Sequence, residues 1–418
     1  MSYLFDYVER ERASFAERPF GPVDAAVLTQ AGMIDGAGIV PEPPQRPVVL
    51  DRMRALLAPD AGGARFEDLL RAECFDRMFT GLAAGDVRRL LYELAASPRF
   101  RDLRLRGYRS EFDEGAHTQF AAMSFTWGSE LSFISFRGTD ASPTGWRENF
   151  DMAYKDEVCA QALAREYVEF MAPRLPGELH VGGHSKGGNL ALYAALTCTG
   201  RVQSRIGRIW CLDAPGFRAG RFSERDYARL EGRVCRMAPQ DSIVGALLEC
   251  PVETRTVRSS AIGLYQHSVF SWEIADDGVS DGGAASGGVA SGGAALGWTA
   301  ERAASAERDP ADFVYLDGLS EFSHTVHEVV SEWLASMDDG QIERAVDALF
   351  AAYEASGARD VGDVLAGGGN PIHLAIEAAR NLDGESSAIL SDAFGELAAI
   401  AARHVGRDVA ESLFGMRI

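Results

Sequence analysis

The sequence predicts an α/β protein with a mostly parallel central sheet, plus helical N-terminal and C-terminal regions. Three observations predict it. Between residues 99 and 275, short apolar runs alternate with segments of helical period. One run ends in a glycine-framed serine, "GGHSKGG" (182–188), directly before the helix pattern "NLALYAAL". Residues 1–98 and 312–418 instead carry apolar residues at helical spacing. Short apolar strands separated by helices fit a parallel sheet covered on its faces.

The elements follow in order. "DRMRALLAPD" (51–60) and "DVRRLLYELAAS" (86–97) predict helices, with Asp51 and Asp86 at their starts. The proline-rich "VPEPPQRP" (40–47) reads as a linker between helical pieces. "DLRLRGYRSEF" (102–112), "TQFAAMSFTW" (118–127) and "ELSFISFRG" (130–138) predict strands, and Gly128-Ser129 joins the last two as a hairpin. "DEVCAQALAREYVEFMAPRL" (156–175) predicts a helix, and strands follow at 178–183, 207–213, 233–238 and 252–258. "DDGVSDGGAASGGVASGGAALG" (276–297) has too few apolar side chains to build a core and reads as a linker or loop. The expected organisation is therefore 1–98 helical, 99–275 the α/β core, 276–311 a Gly/Ala/Ser-rich linker and 312–418 all helix.

Composition narrows the function classes. The 418 residues are 46% hydrophobic and carry a formal net charge of −20. Such a chain repels nucleic acid and anionic membrane surfaces, so neither is expected as a partner. The six cysteines are scattered, with no C-x-x-C pair, and read as small buried hydrophobes in a reducing compartment. The first residues lack the basic and apolar runs of a signal peptide, and no uncharged apolar stretch reaches 18 residues. A cytoplasmic protein without a transmembrane segment is expected.

The glycines around Ser185 have a chemical reading. G-x-S-x-G between strand and helix is a turn that holds the serine strained, with its hydroxyl exposed at the carboxyl end of the sheet. Glycine at 183 and 187 removes side chains that would clash with neighbouring backbone. His184 and Lys186, adjacent in sequence, point elsewhere in such a turn and read as structural. The base and its orienting acid must come from later strand ends, in the order Ser, Asp or Glu, His. Of the five later histidines, His267 in "GLYQHSVFSWEI" lies just past the last core strand, whereas His324, His327, His373 and His404 fall in the helical region. Two acids compete. Asp213 in "CLDAPGF" follows the first strand after the serine and Asp241 in "MAPQDSIVG" follows the second. The usual topology favours Asp241 and leaves Asp213 as a turn-forming or oxyanion-side residue. The oxyanion donors are expected from the Lys186 amide and from Thr139, in the loop that ends "FISFRGT".

These residues resemble the class 3 lipase branch of the α/β-hydrolases, in "FRGT", in Trp146 with Asp151, and in "GHSKGG". The resemblance spans residues 133–274 and implies Ser185 as nucleophile, His267 as base, Asp241 as acid and Thr139 as an oxyanion residue. A fuller resemblance is to an uncharacterised bacterial lipase-like family, a domain of unknown function. It rests on "GHSKGGNLALYAA", "HSVFSWEI" and the N-terminal "FAERPFGPVDAAVLTQAGMID". The chain departs from the class 3 pattern at Lys186, where typical members carry leucine. The expected function is a serine hydrolase cleaving small or lipid-like acyl esters, with no metal or organic cofactor. The same triad serves a thioesterase, amidase or acyltransferase. An inert scaffold that binds a partner is the reading from another class. Segment 140–156 lies where a lid would lie, and the C-terminal helices are the other candidate cover.

Overall fold

The structure is a computed structural model that describes residues 2–58, 61–275, 311–355 and 384–406. Its centre is one eight-stranded sheet, with strands β1 (Arg104–Asp113), β2 (Thr118–Trp127), β3 (Leu131–Phe136), β4 (Glu178–His184), β5 (Ile206–Leu212), β6 (Val234–Pro239), β7 (Thr254–Val257) and β8 (Tyr315–Leu316). Spatial order equals chain order. The run β3 to β7 is parallel, while β1, β2 and β8 pair antiparallel with their neighbours. The 128–130 turn joins β2 to β3 as the alternating runs predict, with Gly128 at φ 50°.

The helices are α1 (Leu4–Arg10), α2 (Pro22–Ala31), α3 (Val48–Leu57), α4 (Phe75–Met78), α5 (Ala84–Ala96), α6 (Pro143–Asp151), α7 (Cys159–Met171), α8 (Lys186–Thr197), α9 (Gly200–Gln203), α10 (Glu224–Ala228), α11 (Glu321–Ala335), α12 (Asp339–Ala355) and α13 (Gly384–Val405). β3 is buried along its whole length, because helices cover both sheet faces. One face gathers Phe125, Phe133, Trp210 and Leu212 with Val23 and Val27 of α2. The other gathers Ile134, Phe136, Ile209 and Cys211 with Tyr167 of α7 and Leu190 of α8. Every residue of α2 is buried. Its Asp24 takes both the Arg99 Nε and Nη2 at 2.7 Å and the Tyr7 hydroxyl at 2.8 Å, so this inaccessible carboxylate is paired. The apolar core thus runs without a break from the N-terminal helices into the sheet.

Two expectations are corrected here. Residues 312–418 are not all helix: Tyr315–Leu316 pairs with β7 and closes that edge of the sheet. Two residues are too short for periodicity to register. The cysteines are free, but only Cys198 and Cys211 are buried, and Cys159 is exposed. The Gly/Ala/Ser-rich stretch lies outside the described residues, except Ala311, which is buried. Among the described residues, no helix is long and apolar enough to cross a membrane.

Candidate active site at the carboxyl edge of the sheet

Ser185 sits between β4 and α8 with φ 58° and ψ −130°, a region that costs a non-glycine residue about 1–3 kcal/mol. The surrounding fold over-determines that strain. The Ser185 amide donates to Leu212 O at 2.9 Å, and Ser185 O accepts from Gly188 N at 3.0 Å as α8 begins. A Cβ at Gly183 would lie 2.2 Å from the Gly187 carbonyl carbon, and one at Gly187 2.2 Å from Phe136 O. Backbone opposes backbone at both places, so only glycine fits. The serine is half-buried at the N-terminus of a twelve-residue helix, where free amides favour developing negative charge.

His267 ends a short helical turn, Gly263–His267, and its Nδ1 lies 2.7 Å from Oδ2 of Asp213. A carboxylate only accepts, so Nδ1 carries a proton, and in the neutral imidazole Nε2 is then the acceptor. Asp213 is 1% exposed and follows β5 directly. Its other oxygen accepts from the Ser242 hydroxyl and from Gly245 N at 3.0 Å. Two further donors thus hold the buried carboxylate against the imidazole.

The expected acid, Asp241, makes a different contact. Its Oδ2 accepts from Gln266 Nε2 at 2.6 Å, and its amide donates to Gln266 Oε1 at 3.0 Å. Asp241 therefore pins the residue before the histidine, and Asp213 pins the histidine itself. Strand order is the physical reason. Leu212 of β5 is in register with His184, so the residue after β5 borders the serine turn, whereas Asp241 lies past β6, one strand further out. Signals for Asp213 were its place at the end of the strand beside the serine strand and the "DAPG" turn that follows.

His184 packs against the same histidine, with ring centroids 4.3 Å apart. Its Nε2 is 2.8 Å from His267 O, and since a carbonyl only accepts, that nitrogen carries the proton. Burial, reinforced by the neighbouring His267, pushes its pKa down to about 3. It is neutral at ordinary pH and tethers the 267 segment to the turn. Among the described residues, the Ser185 hydroxyl has no hydrogen-bond partner.

The loop after β3 reaches the serine from the other side. A Cβ at Gly138 would sit 2.9 Å from His184 O and 3.7 Å from Ser185 Cβ. Thr139 is next, and its hydroxyl oxygen accepts from Asn149 Nδ2 of α6 at 2.7 Å. The Lys186 side chain points away from the serine into the interior. Its Nζ donates to Glu148 Oε2, Gln119 O and Gln119 Oε1. Sequence reasoning missed Asn149, Glu148 and Gln119, which carry no motif of their own.

Segment 140–156 is no free lid. α6 buries Arg147, Glu148 and Asp151, and the C-terminal helices pack on its outer side. Phe350 of α12 meets Phe150 edge-on at 5.8 Å, and Arg147 pairs with Asp347. α11 sits on the loop after β6: Ser320 N donates to Gln240 O at 2.8 Å, and His327 Nδ1 bonds Ala246 O at 2.7 Å. His324 and His404 lie on α11 and α13, and His404 pairs with Glu332 at 3.0 Å. His373 is outside the described residues.

No curated protein matches the chain. A family model described as Mbeg1-like matches residues 94–292, a stretch that includes the serine turn, both acids and His267. In that stretch the chain is similar to a lipase-like family.

Proposed function

We propose that the chain is a serine hydrolase of the α/β-hydrolase fold that cleaves carboxylic esters through an acyl-enzyme. Ser185 attacks the carbonyl carbon, and His267 Nε2 takes its proton. Asp213 holds the imidazole in the required tautomer and stabilises the imidazolium that forms. The Lys186 amide and Thr139 donate to the oxyanion. His267 then protonates the leaving alcohol, and a water deprotonated by the same nitrogen releases the acid.

The observation that carries this reading is the His267–Asp213 pair set against a strained serine at a helix start. An ester-binding scaffold needs neither the strain at Ser185 nor a tautomer-fixing carboxylate. The lipase-like similarity over residues 94–292 supports the same class.

Chromogenic esters of two to twelve carbons test it, with Ser185→Ala as control. Wild type should turn over at least one ester, and Ser185→Ala should lose at least about 10³-fold in kcat. Equal rates in both proteins would reject the nucleophile. Matched thioester and amide substrates rank the leaving group.

A further inference from the structure

We infer that Lys186, Glu148 and Gln119 are positioning residues that lock the two halves of the oxyanion hole to each other; this rests on the hydrolase reading above. The two donors come from different parts of the chain. The Lys186 amide belongs to the start of α8, and Thr139 belongs to the loop after β3. Both must be held to within a few tenths of an ångström, because donors contribute only where the oxyanion forms.

One buried network spans them. Lys186 Nζ is fully inaccessible, and each of its three protons has an acceptor: Glu148 Oε2, Gln119 O and, at 3.0 Å, Gln119 Oε1. Glu148 is 1% exposed. Its Oε2 also accepts from Gln119 N at 3.1 Å, and its Oε1 accepts from Ala160 N at 2.8 Å. Gln119, 3% exposed, passes the connection on: its Nε2 donates to Gly138 O at 3.5 Å. A single chain of contacts therefore runs from the residue that donates one oxyanion proton to the residue before the other donor.

The arrangement asks for more than packing. A fully buried ion pair gives little net stability over a well-packed apolar pair, because two charges lose their hydration. Leucine and methionine would fill the Lys186 site at lower cost. What the charges add is direction: three acceptors fix the ammonium, and through a short run of backbone they fix the amide next to Ser185. Glu148 lies beside Asn149, which bonds Thr139. Adjacent residues of α6 thus hold both halves.

The test uses two variants of the full chain, Glu148→Gln and the double variant Lys186→Met with Glu148→Gln. The double variant removes both charges together and leaves neither buried alone. The readouts are melting temperature, kcat and KM on the best ester, and inhibition by an alkyl trifluoromethyl ketone, which adds to the serine and places an oxyanion in the hole. For the double variant the inference predicts melting within a few degrees of wild type, KM within about twofold, and kcat lower by about 10–100-fold, whereas Glu148→Gln, which leaves the ammonium buried without its counter-charge, should melt lower. The ketone's Ki should rise by the same factor as kcat falls. A folded double variant with wild-type kcat and Ki overturns the inference, as does a kcat loss that leaves Ki unchanged. If neither variant folds, the network serves stability alone and the inference falls. A wild type that neither hydrolyses ester nor binds the ketone rejects the hydrolase reading and this inference with it.

Discussion

At the scale of the residue, the site is set by which carboxylate meets which side chain. Asp213 and Asp241 both reach the 266–267 segment, 213 to the imidazole and 241 to the Gln266 amide. Their substitutions should differ accordingly. Asp213→Asn removes the acceptor that fixes the His267 proton on Nδ1, and kcat should fall by about 10³–10⁴-fold. Asp241→Asn keeps an acceptor for Gln266 and should stay within about tenfold of wild type. Steady-state kinetics on one ester compares them, and a larger loss at 241 would restore the acid that strand counting alone suggests. Local pattern favoured neither, because both residues follow an apolar strand; what separates them is that β5 pairs directly with the serine strand. The strained turn at Ser185 and the place of His267 beyond β7 were legible, since the glycines at 183 and 187 and the end of an apolar run each have a local physical cause.

At the scale of the element, alternation and period served well where the segment was long. The β2–β3 hairpin, the four strands from β4 to β7, and α7 and α8 all lie where apolar spacing placed them, to within a few residues. The errors concern elements whose identity depends on what they meet. α6 spans only nine residues and mixes charge with aromatics, so it reads as loop until Glu148 and Asp151 find partners inside. β8 is two residues long and exists because β7 offers an open edge. α2 shows no polar face, since the sheet and the other N-terminal helices cover it on all sides.

At the scale of the whole molecule, the C-terminal helices bear on the site through α6 and through the loop after β6. Their hold combines apolar and polar contacts. Ile342 and Val346 of α12 are buried with Tyr154, next to Phe350. Arg218 Nη2 adds a forked hydrogen bond to both Asp339 carboxylate oxygens at 3.0 Å, with Asp339 more than half exposed. Asp339→Ala should therefore cost less than about 1 kcal/mol. Ile342→Asp, which buries a charge without a partner, should cost about 3 kcal/mol or more. Denaturant titration of the two variants reads the difference, and equal costs would show that the ion pair, rather than the apolar contact, docks the helices. The charge of −20 acts at this scale too: it disfavours anionic surfaces and polyanions, so uncharged esters are the better substrates to screen.

The most direct measurement is to treat the full chain with a fluorophosphonate probe and locate the modified residue by peptide mass spectrometry. The account predicts one modified serine, 185, with labelling abolished in Ser185→Ala and slowed by orders of magnitude in His267→Ala. An unlabelled wild type, or a probe carried on any other residue, would contradict it.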